Sequence, residues 1–300
     1  MSIAAISGPV VLGFIENRKQ AEQLAAELGM PYGKISLHRF PDGEHRLSVP
    51  TPLPTRVIIY LSLDDPNEKL IELLLAAAAA RDNGAEELLL VAPYLCYMRQ
   101  DIAFHPGEAV SQQVIGKLLA EHFDAVVTVD PHLHRIQQLR QAIPLAHALA
   151  LTAADVMAAY LSERFESPLL LGPDGESRQW VETIALKQGF DFSVGTKERF
   201  GDRHVRIHLP DDVGFAGRDV VIVDDIASTG RTMIAAAESV LAASPSSLSL
   251  LVTHALFAGD AEARIRALSI DNLWSTDSVS HSTNTIKLAP LLAGGVRSCL

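Results

Sequence analysis

Short runs of β-branched and aliphatic residues alternate along the chain with longer stretches rich in alanine and leucine. Val10–Ile15, Val57–Leu61, Leu88–Ala92, Ala125–Val129, Leu169–Leu171, Val220–Val223 and Leu248–Val252 each read as a buried strand, followed by a loop or a helical pattern. Brief apolar runs spaced by helix-length segments predict α/β layers with mostly parallel sheets. The longest apolar run, Leu70–Ala80, contains Glu72 and is too short to span a bilayer, so it is predicted as a buried helix.

The pattern also repeats. Val57–Tyr60 leads through Asp64-Asp65 and a helix to a strand ending at Val91, 34 residues on; Val220–Val223 leads through Asp224-Asp225 and a helix to a strand ending at Val252, 32 residues on. Two α/β domains in tandem produce this, as do any two similar strand–helix–strand units; the two copies fall short of the roughly three that a solenoid needs. The boundary is expected between Ala142 and Leu151, giving domains of residues 1–147 and 148–284. Residues 285–300 are then a terminal segment able to fold back on the first domain.

At 300 residues, 48% of them hydrophobic, the chain fills two cores. Its 36 acidic against 25 basic residues, net −11, argue against nucleic acid as a partner and suit an enzyme whose metal offsets phosphate charge. Cys96 and Cys299 make neither a disulfide framework nor a metal-binding spacing. With no signal-peptide pattern and no spanning segment, a cytoplasmic protein without membrane partners is expected.

The most informative segment is Val220–Thr232. A buried strand ends at Asp224 and Asp225, a small loop of Ser228, Thr229 and Gly230 follows, and a helix begins near Thr232. Strand ends in open α/β sheets are where ligands sit. Loop amides and a helix N-terminus attract phosphate, while adjacent carboxylates accept hydrogen bonds from a vicinal diol. Phosphate at one end and diol at the other describes ribose 5-phosphate. Helix capping by Ser-Thr-Gly accounts for the loop but not for the paired acids.

This segment resembles the phosphoribosyl diphosphate motif of type I phosphoribosyltransferases and of ribose-phosphate diphosphokinases. Further segments resemble the diphosphokinases in particular. Arg39–Glu44 is similar to the segment that contacts the ATP base, which implies roles for Phe40, Asp42 and Glu44, although Pro41-Asp42-Gly43 is also an ordinary turn. Pro93–Asp101 resembles the family's Pro-Tyr-x-x-Tyr-x-Arg-Gln-Asp loop, continued by Pro106-Gly107-Glu108 and Val110-Ser111, and implies ATP contacts for Arg99, Gln100 and Asp101. Asp130-Pro131-His132 matches an Asp-x-His segment that implies metal contacts, direct or through water, for His132 and Asp130. His134 lies close by, and Gln138-Leu139-Arg140 replaces the usual Gly-Phe-Phe. Gly172-Pro173-Asp174-Gly175 resembles the loop near diphosphate and metal and makes Asp174 a candidate for both metal and ribose; locally it is equally a plain turn. Glu176-Ser177 stands where paired glycines are common. Lys197-Glu198-Arg199 resembles the catalytic loop, with Lys197 and Arg199 on one face of an extended chain; the alternative is a charged hairpin.

The resemblance covers the whole chain and looks archaeal or divergent. It implies two tandem type I phosphoribosyltransferase-like α/β domains, ATP and ribose 5-phosphate as substrates, Mg2+ as cofactor, and a homo-oligomer in which ATP lies between Phe40 and the Arg99 loop, from the same or an adjacent subunit. Asp174, Asp224, Asp225, Ser228, Thr229, Gly230 and Thr232 are then the ribose 5-phosphate set. Rival readings are a phosphoribosyltransferase and a regulatory paralogue without catalysis.

Overall fold

The computed structural model describes residues 8–133, 135–200 and 204–300, and for residues 199, 200, 204 and 205 only the backbone. His134, the neighbour of His132, lies outside the described residues. The chain divides into two compact units: residues 1–151 with 289–300, and residues 152–288.

In the first unit, strands β1 (Val10–Gly13), β2 (Tyr32–Lys34), β5 (Arg56–Tyr60), β6 (Glu87–Val91), β7 (Ala125–Val129) and β8 (His147–Leu151) form one sheet of order β2-β1-β5-β6-β7-β8. Every neighbouring pair is parallel. The central strands are buried along their length, which is why they read as unbroken apolar runs and not as alternating ones. Helices α1 (Arg18–Leu28), α2 (Pro66–Asp82) and α3 (Ser111–His122) are the crossovers; β3 (Ser36–Arg39) and β4 (His45–Ser48) form a separate antiparallel hairpin.

In the second unit, β9 (Leu169–Gly172), β10 (Asp191–Val194), β13 (Asp219–Ala227), β14 (Ser247–Ala255), β15 (Asn272–Thr276) and β16 (Asn284–Ile286) repeat the same order, β10-β9-β13-β14-β15-β16, again all parallel. Strands β11 (Thr196–Phe200) and β12 (His204–His208) make a second hairpin. Helices α4 (Ala154–Ser162), α5 (Arg178–Gln188), α6 (Arg231–Ala242) and α7 (Ala261–Arg266) complete the unit. Helix α8 (Ala289–Arg297) belongs to the first unit, where it packs on α1; Arg297 donates to the Glu27 carbonyl.

Apart from shifts of a few residues at strand ends, the boundaries that differ from the sequence reading are these. Strand β13 does not stop at Val223 but runs through both acids to Ala227, because β14 is equally long and supplies backbone partners as far as Ala227↔Ala255. The first sheet takes in His147–Leu151, so its unit extends past residue 147; Asn284–Ile286 is a strand of the second sheet, so the terminal segment starts at Ala289. None of the helices among the described residues is long and apolar enough to cross a membrane.

Candidate active site

The second unit collects the paired acids, the Pro-Asp loop and Lys197. Strands β9 and β13 are neighbours in register Ile222↔Leu171, so Asp224 lies level with Pro173, beside Asp174. Asp174 is buried and its carboxylate is held from two sides: Glu176 N donates to Oδ1 at 3.0 Å and Lys197 Nζ to Oδ2 at 2.8 Å. Lys197 reaches it because the chain passes close at Gly195, where a Cβ would sit 2.6 Å from Ile207 Cγ2 and 2.9 Å from the Pro173 carbonyl oxygen. The hairpin account and the functional account of Lys197 thus share one geometry. Arg199 lies on the same strand, two residues on; its side chain falls outside the described residues.

Asp225 is buried and Asp224 partly so. The Asp224 carboxyl is pushed well above the ordinary aspartate range by burial first, then by repulsion from Asp225 and Asp174. Such a group takes up a cation or a hydroxyl donor readily. Beyond it, Ser228 and Thr229 form a bend and Gly230, at φ 70°, caps α6. The Ser228 carbonyl accepts from Ala258 N at 2.9 Å, which fixes the turn from below. The first-turn amides of α6 have no acceptor within the helix, and Thr232 places its hydroxyl in the same turn.

Ser177 was the departure from the resembled pattern, and here it supports the loop. Fully buried, it donates from Oγ to the Asp174 carbonyl at 2.6 Å and accepts from Asp174 N at 3.3 Å. A Cβ on Gly172 would lie 2.5 Å from that Oγ, so the glycine makes room for it. The sequence marks Glu176-Ser177 only as a departure from the usual paired glycines; the bond from Ser177 back to Asp174 shows what the serine does there.

In the first unit the nucleotide candidates occupy a hairpin tip and a braced loop. Phe40, Asp42 and Glu44 are exposed on the turn between β3 and β4, closed by Phe40 N donating to the Glu44 carbonyl at 2.8 Å and Glu44 N donating to Asp42 Oδ1 at 3.1 Å. The Phe40 ring meets His38 edge-on at 4.8 Å, and the Arg46 guanidinium lies over it, 5.9 Å from the ring centroid. Arg99 is exposed. Gln100 accepts from Ser111 Oγ at 2.6 Å, and Asp101 is buried and accepts from Arg135 at 2.5 Å. Asp101 therefore holds its loop onto the segment after β7 and does not face outward. Arg135 was missed because the contact spans 34 residues. Asp130, at φ 37°, and His132 follow the end of β7, Asp130 buried and His132 partly exposed. The three metal candidates therefore lie in two units: Asp130 and His132 in the first, Asp174 in the second.

Comparison with known proteins covers nearly the whole chain. Residues 10–122 match the N-terminal domain of ribose phosphate pyrophosphokinase, and residues 145–283 match the phosphoribosyl transferase domain. A ribose-phosphate pyrophosphokinase of Methanopyrus kandleri is 34% identical over 293 residues, covering 96% of this chain and 99% of its own. One from Saccharolobus solfataricus is 32% identical over 278 residues, covering 90% and 93%. Among solved structures, the phosphoribosylpyrophosphate synthetase of Mycobacterium smegmatis superposes with a TM-score of 0.84 at 20% identity, over 98% of this chain and 99% of that one, a likeness of fold.

Proposed function

The chain belongs to the ribose-phosphate pyrophosphokinase family, and we infer that it transfers the terminal diphosphate of ATP to the C1 hydroxyl of ribose 5-phosphate, giving 5-phosphoribosyl 1-diphosphate and AMP. The observation that carries this reading is the meeting of Asp174, Asp224, Asp225 and Lys197 at the mouth of the Ser228–Gly230 turn. In the proposed arrangement, Ser228, Thr229, Gly230 and Thr232 take the 5-phosphate on backbone amides and hydroxyls. Asp224 and Asp225 accept from the ribose hydroxyls. The C1 oxygen then bonds to the β-phosphorus as the bond to the departing AMP oxygen breaks, and the hydroxyl proton passes to solvent. Lys197 and Arg199 stabilise charge on the transferred group, and positioning with charge neutralisation supplies most of the rate.

The donors present fit Mg2+, which favours carboxylate oxygen, needs only one or two protein carboxylates and keeps several waters. Asp174 and Asp224 are the carboxylates that would hold it in the second unit. When bound, the ion would neutralise the phosphate oxygens. The 2.8 Å ion pair to Asp174 would hold the Lys197 ammonium beside the place of the transferred group. The Phe40–Glu44 turn and the Arg99–Gln100 loop, held by Asp101, would receive ATP. Family membership also supports a homo-oligomer and a cytoplasmic setting.

The test is product formation from ATP, ribose 5-phosphate and Mg2+ by the purified protein. AMP and phosphoribosyl diphosphate in equal amounts are expected. Ligand binding without AMP release would instead support a regulatory paralogue, and transfer of a phosphoribosyl group to added bases without ATP would support a phosphoribosyltransferase.

A further inference from the structure

Helix α2 is apolar over most of its buried face, yet Glu72 lies within that face, with its side chain 8% exposed. Buried carboxylates are normally paired or coordinate metals. Its partner is His45 on β4, whose Nδ1 lies 3.0 Å from Glu72 Oε1 and whose side chain is 7% exposed. The other ring nitrogen, Nε2, is buried and has no hydrogen-bond partner, one of three such atoms among the described residues. One helical turn before Glu72, on the same face of α2, stands Glu68. Donor atoms of His45, Glu68 and Glu72 all lie within 4.8 Å of one another, and among the described residues no other group of three does so.

We propose that His45, Glu68 and Glu72 form a binding site for a zinc-class divalent cation, separate from the magnesium site at the other sheet, which cross-links the β3–β4 hairpin to α2. One imidazole and two carboxylates suit zinc or a neighbouring transition ion, whereas magnesium disfavours imidazole. Two of the three ligands are already fixed by burial. The third, Glu68, is exposed, and rotation of its side chain closes the donors to the spacing of about 3–4 Å that bonds of about 2.1 Å require. Water completes the coordination. A competitor is built in, since Arg39 Nη2 lies 3.0 Å from Glu68 Oε1 and Arg39 pairs with His45 across the hairpin. Arg39 and the metal ion therefore compete for the Glu68 carboxylate.

The site is tested on the untagged, chelator-treated full chain, with zinc titrated against a chromophoric chelator in excess Mg2+ and cobalt as a spectroscopic probe. One tight equivalent per chain is expected. Glu68→Gln, on an exposed side chain that folding does not depend on, should weaken it at least about tenfold, in line with the sensitivity of metal sites to their ligands and supports. Arg39→Gln should tighten it, and Asp224→Asn should leave it unchanged. No tight equivalent, an equivalent indifferent to both Glu68→Gln and His45→Gln, or one abolished by Asp224→Asn would each overturn the proposal. The readout is metal binding alone, so it stands apart from the diphosphokinase reading.

Discussion

Strands β5 and β13 occupy the same place in their two sheets, third in chain order and beside the first strand, and each leads through a pair of aspartates into a helix. The two loops then diverge. After β5, Lys69 Nζ sits 2.8 Å from Asp64 Oδ1 and 2.9 Å from the Ser62 carbonyl, and Asn17 Oδ1 accepts from Ser62 N at 3.0 Å. Pro66 starts α2 one residue beyond Asp65. That loop satisfies its charge with its own side chains. Near the end of β13 the acids crowd one another, no lysine follows at the matching place, and a small-residue turn presents helix amides. Topology offers a ligand position at both strand ends; local charge balance decides which one serves chemistry.

The largest effect that separates the two loops is expected at Lys197. Lys197→Ala should lower kcat by about 10²–10³-fold, the range for loss of one preorganised charge stabiliser, with ribose 5-phosphate binding nearly intact by calorimetry. Turnover within a few-fold of the native protein would remove Lys197 from the catalytic set.

Asp224→Asn should abolish most activity and yet raise Tm. The folded-state pKa of Asp224 is raised, so its contribution to stability is full below the ordinary aspartate pKa and is lost as pH rises through the raised value. At neutral pH the charge is a liability, and the asparagine removes it. Thermal melts against pH should show the native protein losing stability over that window relative to the variant; coincident profiles would show that Asp224 is not strained.

Gly230→Ala tests the turn. At φ 70°, and with a Cβ 3.2 Å from Ile265 Cδ1, the change should cost about 1–3 kcal/mol and raise KM for ribose 5-phosphate more than that for ATP. Equal effects on both substrates would detach the turn from the sugar phosphate.

The smallest effect on catalysis is expected in the self-satisfied loop. Lys69→Met should lower stability by about 1–3 kcal/mol in denaturant titrations, because it leaves the Ser62 carbonyl and Asp64 without their shared donor. Turnover should stay within a few-fold of the native value. A large kcat loss there would mean that the two loops are not as different as their charges imply.

The central strands were legible because both of their faces are covered, which forces continuous apolar runs such as Val57–Tyr60 and Val220–Val223. Short strands such as β2, β10 and β16, of three or four residues, carry no comparable pattern. The Ser228 turn was readable because its chemistry is local in sequence. The distant supports were not: Arg135 beneath Asp101 and His45 against Glu72 are contacts between segments whose meeting depends on the finished fold. Ser177 is the instructive case, for a residue that differs from the expected pattern makes a bond of its own to the same loop.

Cys96 lies inside the Pro93–Asp101 loop at 1% exposure, and burial pushes its thiol up to about 12. So little thiolate forms at neutral pH that alkylating reagents have almost nothing to attack there. The only other cysteine is Cys299, partly exposed and next to the last residue. The native chain thus already distinguishes its two thiols, and a maleimide dye added under mild conditions is directed to the C-terminal end. A fluorescent reporter can therefore be installed without mutating the protein and without touching any residue proposed to contact substrate.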